Sequence, residues 1–311
     1  MKISLKETAA KLLSADSLVI TSHVNPDGDA LGSSLALYQM MIRLGKRAEL
    51  LIDDDIPEAF SFLPDIAAIK KPEAESYDAD LLVMLDVSRD RIGRVAEKCR
   101  APILNIDHHI TNDGEADFLY LDAGRAATAE IVYQLARELA VEPDEAVAMC
   151  IYTGISTDTG NFKFSNTTPF TMRAAADMLE AGAKAHIVSE ALEQRSYQEV
   201  MDKAKAMQTI ELAFDGRVAG IYIDNALYET IGSTEGFIDT VRIIAGVDAA
   251  VLVKEVEAGR CRISMRSKGM DVSRIAAAFQ GGGHIRAAGC SIEKPLAEAK
   301  EMLLQEIGKA L

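Results

Sequence analysis

Four short apolar runs in the first half of the chain, Leu18–Ser22, Ala48–Ile52, Leu81–Leu85 and Ile103–Ile106, alternate with stretches of helical spacing such as Leu31–Leu44, which Gly45 is placed to cap. Few folds satisfy that alternation: it is the pattern of βαβ units wound into a parallel sheet, here of at least four strands. Ser4-x-x-Glu7 supplies a capping box for an opening helix. From Thr128 to about Gly182 the spacing turns mainly helical, with starts suggested by Pro143 and Pro169, which completes an α/β domain. Residues 196–212 keep helical spacing without Gly or Pro and read as a connector. Beyond it, strands are expected at Arg217–Ile223, Ala249–Val256 and Arg260–Arg266, and helices at Thr234–Ala245, Asp271–Phe279 and Leu296–Leu311, giving a second, smaller α/β domain. A chain of 311 residues accommodates two such domains, with the expected division 1–190, a helical linker 191–212, and 213–311.

The acidic and imidazole side chains fall where the strands end. His23-Val-Asn-Pro-Asp27-Gly-Asp29 follows the first run, Asp86 the third, and Asp107-His108-His109 the fourth. In an open parallel sheet the C-terminal strand ends share one rim, where such folds bind ligands, so these groups converge. Carboxylates gathered on one rim repel each other unless cations sit among them. Mixed imidazole and carboxylate donors suit Mn²⁺, Fe²⁺ or Zn²⁺ better than Ca²⁺ or Mg²⁺, and Mn²⁺ is the first choice. A plain β-turn and helix cap accounts equally well for Asn25-Pro26-Asp27-Gly28 alone, but not for Asp86 or Asp107-His108-His109. Three of the five histidines lie at these strand ends, His284 lies in a later motif, and His186 reads as surface background. Asp158, within Gly154-Ile-Ser-Thr-Asp-Thr-Gly160, is a fourth candidate carboxylate, or else part of a helix C-terminal turn.

Charge narrows the partners. With 33 Lys and Arg against 48 Asp and Glu the net charge is −15, which opposes sequence-independent binding of long nucleic acid. Residues 254–286 reverse the sign locally, with seven Lys/Arg against three Asp/Glu. Within them, Arg260-Cys-Arg262-Ile-Ser264-Met-Arg266-Ser-Lys268 alternates so that one strand face is polar and basic while Cys261, Ile263 and Met265 face inward. It is either an anion-binding surface or an edge strand protected by cations. Gly281-Gly-Gly-His284 could close a helix with bare amides that cradle a phosphate, or form a flexible turn. Together the two suggest an anion clamp. Hydrophobic residues at 49% exclude a disordered chain, and no apolar run reaches membrane-spanning length. The start lacks a signal-peptide core, so a cytoplasmic protein is expected, and the four scattered cysteines read as small core residues.

In order, His23-x-Asn-Pro-Asp27-x-Asp29, Asp86, Asp107-His108-His109, Asp158, Arg266-Ser and Gly281-Gly-Gly-His284 resemble the motifs of the DHH phosphoesterases, over nearly the whole chain. Thr157-Asp-Thr-Gly160, Phe164-Ser-Asn-Thr-Thr-Pro169 and Gly281-Gly-Gly-His284-x-x-Ala-Ala-Gly289 look most like the nanoRNase/pAp phosphatase group of that family. The pattern departs at Gln280, where relatives often carry a further glycine, and at Arg125-Ala-Ala-Thr128, where a serine-rich segment is common. The resemblance implies an N-terminal catalytic domain, a helical linker and a DHH-associated domain that grips substrate. It implies one Mn²⁺ held by His23, Asp27 and Asp86 and a second by Asp29, Asp86, His108 and Asp158. The catalytic set it implies is Asp86, His108, His109 and Asp158, with His109 orienting the phosphate, protonating the leaving group or supporting a neighbouring ligand. Arg262, Arg266, Gly281, Gly282, Gly283 and His284 would bind substrate. The implied reaction is two-metal hydrolysis of short oligoribonucleotides to mononucleotides, and of 3′-phosphoadenosine 5′-phosphate (pAp) to AMP. A stand-alone hydrolase of pApA or cyclic dinucleotides, and a non-catalytic nucleotide-binding protein, are the competing readings. Short RNA and pAp are the expected partners, long nucleic acid and membrane are not, and a homodimer is compatible with the sequence without being demanded by it.

Overall fold

The alternating first half forms a six-stranded sheet whose pairings are all parallel. The computed structural model describes residues 1–112 and 114–311, in two units, Met1–Gln194 and Arg195–Leu311. The first unit runs α1 (Leu5–Ser14), β1 (Ser17–Thr21), α2 (Gly28–Arg43), β2 (Arg47–Leu51), β3 (Ile69–Lys70), β4 (Leu81–Leu85), α3 (Val95–Lys98), β5 (Ile103–Asp107), β6 (Phe118–Leu121), α4 (Thr128–Glu138), α5 (Glu145–Asp158), α6 (Pro169–Glu180) and α7 (Ala185–Glu193). Ser4 and Glu7 close the capping box of α1. β1, β4 and β5 are buried along their whole length, as strands covered on both faces must be. One apolar cluster joins Ile20, Val83 and Ile106 to Leu35, Ile131 and Ile151 of the helices, and another gathers Val19, Leu82, Met84 and Val95.

The strand order is β3-β2-β1-β4-β5-β6. From β1 the chain steps outward one way and from β4 the other, so the order reverses between them and leaves a crevice beyond their carboxyl ends. His23 and Asp86 follow these two strands.

Helices α2 and α5 cross closely over this sheet. A Cβ at Gly32 would lie 2.3 Å from the Cys150 carbonyl oxygen, so no other residue fits there without moving backbone. Asp29 in the first turn of α2 and Asp158 in the last turn of α5 lie at the same end of this pair.

The second unit comprises α8 (Tyr197–Met207), β7 (Ile210–Ala213), β8 (Val218–Ile223), α9 (Asn225–Tyr228), α10 (Phe237–Arg242), β9 (Ala249–Glu257), β10 (Arg260–Ser267), α11 (Val272–Ala277), β11 (Gly282–His284), β12 (Ala287–Ile292) and α12 (Leu296–Gly308). Its sheet, ordered β11-β12-β10-β9-β8-β7, is antiparallel except for the β8–β9 pair. Cys261, Ile263 and Met265 pack with Leu303 and Ile307 on one face. Ala250 and Leu252 pack with Ile238 and Val241 on the other.

Several boundaries differ from expectation for identifiable reasons. β3 and β6 are short edge strands whose pairing, not local pattern, defines them. The helical spacing to Leu212 stops at Met207 because Ile210–Ala213 pairs with β8, and tertiary pairing overrides local propensity. The helix expected over Thr234–Ala245 is confined to Phe237–Arg242. Pro169 opens α6, whereas Pro143 precedes Asp144, which caps α5. Cys99, Cys150 and Cys261 are buried, Cys290 is half-buried, and all four are free thiols. Among the described residues no helix is long and apolar enough to cross a membrane.

Gly32→Ala is expected to destabilise the protein by about 1–3 kcal/mol through overpacking against α5. Urea denaturation of the metal-free protein measures it, and an unchanged midpoint would contradict the close crossing.

Candidate metal centre

Asp27 caps α2 through its own side chain, accepting from the amides of Asp29 and Ala30 at 3.1 and 3.0 Å. The helix therefore starts three residues before the expected Leu31, and its first turn carries Asp29 into the interior. There the Asp29 carboxylate accepts the amides of Thr128 and Ala129 at 2.6 and 2.8 Å. These are the first free N–H groups of α4, whose own N-cap, Ala127, has no side-chain oxygen to offer. A helix N-terminus thus holds a fully buried carboxylate in place.

Asp86 leaves β4 in the left-handed region, φ 60°, with its amide bonded to the Ile106 carbonyl at 3.1 Å. A non-glycine residue persists there only where its surroundings impose it, and such positions cluster at functional sites. The hydroxyl of buried Thr128 donates to Asp86 Oδ1 at 2.9 Å.

The two inner imidazoles point one nitrogen at these carboxylates. His23 Nδ1 lies 2.9 Å from the Val24 carbonyl, leaving Nε2 at 3.8 Å from Asp27 and 3.7 Å from Asp86. His108 Nδ1 lies 3.2 Å from the Arg125 carbonyl, leaving Nε2 at 3.2, 3.5 and 3.9 Å from Asp158, Asp86 and Asp29. That Nε2 is buried and has no hydrogen-bond partner. His109 Nδ1 is 2.8 Å from Asp107 and 3.4 Å from Asp86.

Burial is the first cause that raises the pKa of Asp29, followed by the charges of Asp86 and Asp158. Asp158 is raised too, by burial and by Asp86, although the His108 imidazole 3.2 Å away opposes the shift. Burial works against protonation of His23, but Asp27 and Asp86 together carry it up to about 10. Burial likewise opposes His108, which Asp158 and Asp86 lift to about 9. Without a cation the cluster holds itself together by retaining protons.

Among the described residues, ligating atoms fall into three groups within 4.8 Å: His23, Asp27 and Asp86; Asp29, His108 and Asp158; and Asp86, His108 and His109. Asp86 and His108 each belong to two of them. An orphaned imidazole nitrogen, clustered carboxylates and Nδ1 atoms tied to carbonyls are the donor set of a divalent-metal site. The turn-and-cap alternative accounts for Asp27 but not for the convergence of the other six side chains.

Three residues have supporting parts that the sequence did not show. Thr128 touches both Asp29 and Asp86 from sequence-distant positions. Asp107 accepts from the amides of His108 and His109, from His109 Nδ1 and from Asn112 Nδ2, so it shapes the turn instead of facing the cluster. Asp54 accepts the amide of Asn25, itself left-handed at φ 54°.

In the second unit the alternation of β10 is as expected, with Cys261, Ile263 and Met265 buried. β10 lies between β9 and β12, so a protected edge strand is not its role. Gly282–His284 is a short strand paired with β12, not a loop of bare amides, and the Gly281 amide is already bonded to the Ala276 carbonyl. A Cβ at Gly281 would lie 2.2 Å from the Gly289 carbonyl oxygen, so glycine permits this hairpin's close approach. The register aligns Arg266 with Ala287 and Ala287 with His284, and Ser264 with Gly289 and Gly289 with Gly282. Arg262, Arg266, Gly281–Gly283 and His284 are thus on neighbouring strands of one sheet or the turn leading into it.

The N-terminal domain of the DHH family matches residues 17–155 and the DHHA1 domain matches residues 223–311. The chain is 35% identical over 301 residues to the bifunctional oligoribonuclease and PAP phosphatase NrnA of Thermus thermophilus, covering 94% of this chain and 90% of that protein. It is 27% identical to the Bacillus subtilis protein of the same name, covering 89% and 90%. In fold it is similar to an exopolyphosphatase-related protein from Bacteroides fragilis, with TM-score 0.84, 24% identity and coverage of 98% and 95%.

Metal binding must displace the protons on His23 and His108, whose pKa values stand at about 10 and about 9 in the metal-free protein. Groups raised in this way are protonated below those values, so affinity for a divalent cation should climb with pH up to about 9–10 and then level. Calorimetry in buffers of different ionisation enthalpy should show proton release at pH 7, and no release would contradict the assignment. Thr128→Val should weaken metal binding roughly 10–100-fold, as loss of a ligand-orienting hydrogen bond does, with Thr128→Ser restoring it.

Proposed function

The chain belongs to the DHH family of phosphoesterases, and on that premise we propose that it hydrolyses short oligoribonucleotides to mononucleotides and pAp to AMP. The observation that carries this reading is Asp86, whose carboxylate is shared by two groups of potential metal ligands at the switch point of the sheet. The names of the relatives from Thermus thermophilus and Bacillus subtilis support the substrate class.

In this reading His23, Asp27 and Asp86 hold one ion, and Asp29, Asp86, His108 and Asp158 hold a second. Mn²⁺ matches the mixed nitrogen and oxygen donors. Bound there, the ions supply Lewis acidity that activates water for attack on phosphorus and neutralises charge developing on the phosphoryl oxygens. Thr128 and the amides of α4 keep Asp86 and Asp29 aimed inward. His109 is the proton donor: Asp107 fixes its Nδ1 and raises its pKa, and the side chain is 47% exposed, leaving Nε2 to meet the leaving oxygen. Residues 1–190 do the chemistry in this division of labour. Residues 213–311 supply Arg262, Arg266, Gly281–Gly283 and His284 for substrate binding, joined through the segment 191–212.

A net charge of −15 and one local basic face favour substrates that offer few phosphates. The apparent affinity for a dinucleotide should fall with salt at a log–log slope of about −1 to −2, and kcat/KM should be lower for a long oligoribonucleotide. Better use of the long strand, with a steep salt slope, would reject the short-substrate reading.

Asp86→Ala is expected to stay folded, to bind less metal by elemental analysis, and to lose several orders of magnitude in turnover on pAp and dinucleotides. Near-normal turnover after metal stripping and Mn²⁺ reloading would overturn the two-ion reading.

A further inference from the structure

The loop that leaves Asp158 is tied to the metal centre from two sides. Gly160, Asn161 and Phe162 all lie in the left-handed region, at φ 56°, 56° and 62°. Three such residues in succession persist only where the surroundings hold them. Here the Phe162 amide donates to Thr159 Oγ1 at 3.1 Å, and the amides of Lys163 and Phe164 both donate to the Thr159 carbonyl at 2.9 Å. Asn166 Nδ2 then donates to the carbonyl of Asp158 itself at 3.0 Å and to that of Ala126 at 3.3 Å. Ala126 follows Arg125, whose carbonyl lies 3.2 Å from His108 Nδ1. One side chain thus fastens the loop to the backbone that carries Asp158 and to the backbone that supports His108.

Three phenylalanines belong to this loop and the helix it enters, and two of them are already packed. Phe162 rests against Tyr152, with ring centroids 5.8 Å apart, and the Arg125 guanidinium covers Phe170 at 4.0 Å. Phe164 is 54% exposed. Among the described residues of the first unit no other phenylalanine or tyrosine is exposed, and the sequence contains no tryptophan. The ring is nevertheless seated. A Cβ at Gly160 would lie 2.4, 2.5 and 2.7 Å from its Cζ, Cε1 and Cε2, so the ring's outer edge rests on bare glycine backbone two residues beyond Asp158. A singly exposed apolar side chain needs no explanation on most of a surface. This one stands on a fixed loop beside the clustered ligands, and an aromatic ring is a surface on which every nucleobase can stack.

We infer that Phe164 is a stacking platform for a nucleobase of the substrate whose phosphate is held at the metal centre. The inference rests on the proposed function and deepens it. Stacking tolerates any base, which suits a hydrolase that takes short oligoribonucleotides and pAp alike. It also disfavours phosphoesters that carry no base, since these bind through phosphate alone. Packing, not sequence, distinguishes this residue: Phe162, Phe164 and Phe170 look alike until the partners of the other two are known.

The test uses AMP and ribose 5-phosphate, which share sugar and phosphate and differ in the base, with the Mn²⁺-loaded wild type, Phe164→Ala, Phe164→Leu and Phe164→Trp. As inhibitors of pAp hydrolysis, AMP should bind the wild type on the order of tenfold to a hundredfold more tightly than ribose 5-phosphate, the range for one stacked base. Phe164→Ala should lose most of that ratio by weakening AMP while leaving ribose 5-phosphate unchanged. Phe164→Leu, which restores apolar area without a π-face, should stay low, and Phe164→Trp should recover the ratio, with metal content at the wild-type level throughout. A second measurement is independent of turnover. AMP should raise the Tm of the wild type and of Phe164→Trp more than ribose 5-phosphate does, and raise that of Phe164→Ala no more than ribose 5-phosphate does. Equal binding of the two ligands by the wild type overturns the platform, and a preference for AMP kept in full by Phe164→Ala does the same by assigning the base to another part of the molecule. Rescue by Phe164→Leu as complete as by Phe164→Trp reduces the residue to a packing element and overturns stacking. Each of these outcomes leaves the hydrolase reading intact. Failure of the wild type to cleave pAp would instead remove the proposed activity, and the melting comparison would still decide the platform.

Discussion

The interaction on which the first unit depends is the mutual repulsion of four carboxylates, Asp27, Asp29, Asp86 and Asp158, brought to one crevice of the sheet. Left alone they would drive the strand ends and helices apart, since buried like charges shift toward protonation or are excluded from the interior. Three devices hold them. The first turn of α4 donates two amides to Asp29, and Thr128 ties Asp86 to the same turn. His23 and His108 interleave between the carboxylates. The close crossing of α2 and α5 at Gly32 keeps the segments carrying Asp29 and Asp158 together. A divalent cation is the natural completion of this arrangement, and the hydrolase chemistry follows from where it would sit.

The second unit shows the same logic with the sign reversed. Lys254 and Arg262 oppose each other, and Arg266 adds to them, in a protein whose overall charge is strongly negative. On the proposed function, an acidic surface would oppose long polyanions while a concentrated basic face would favour a small phosphate ester, so that selectivity by size would come from electrostatics.

Much of the first unit was legible because its strands are continuous apolar runs ending in chemistry-bearing residues. Leu81–Leu85 was delimited to the residue, and the six candidate ligands from His23 to Asp158 do converge. What local pattern could not carry was anything defined by pairing. β3 and β6 exist only as partners of β2 and β5, Ile210–Ala213 is a strand only beside β8, and Gly281-Gly-Gly-His284 reads as a loop until its register with β12 is known. Thr128 escaped notice for the same reason. Nothing in Arg125-Ala-Ala-Thr128 signals a hydroxyl aimed at a carboxylate 42 residues away. Asp107, conspicuous in sequence, supports the turn that presents its two histidines.

The bonds from Asp29 to Thr128 and Ala129 span 99 and 100 residues, and they carry a consequence for how the protein acquires metal during synthesis. A nascent chain exposing only its first histidine and aspartates has no partial pocket, because the carboxylate that α4 will fix is still free and solvated. Loose donors of this kind would capture ions in order of intrinsic affinity, with copper and zinc ahead of manganese. Because so non-local a contact must close before the donors are set, metal binding and folding of this unit are coupled, and a bound ion would stabilise the whole sheet and not only its rim.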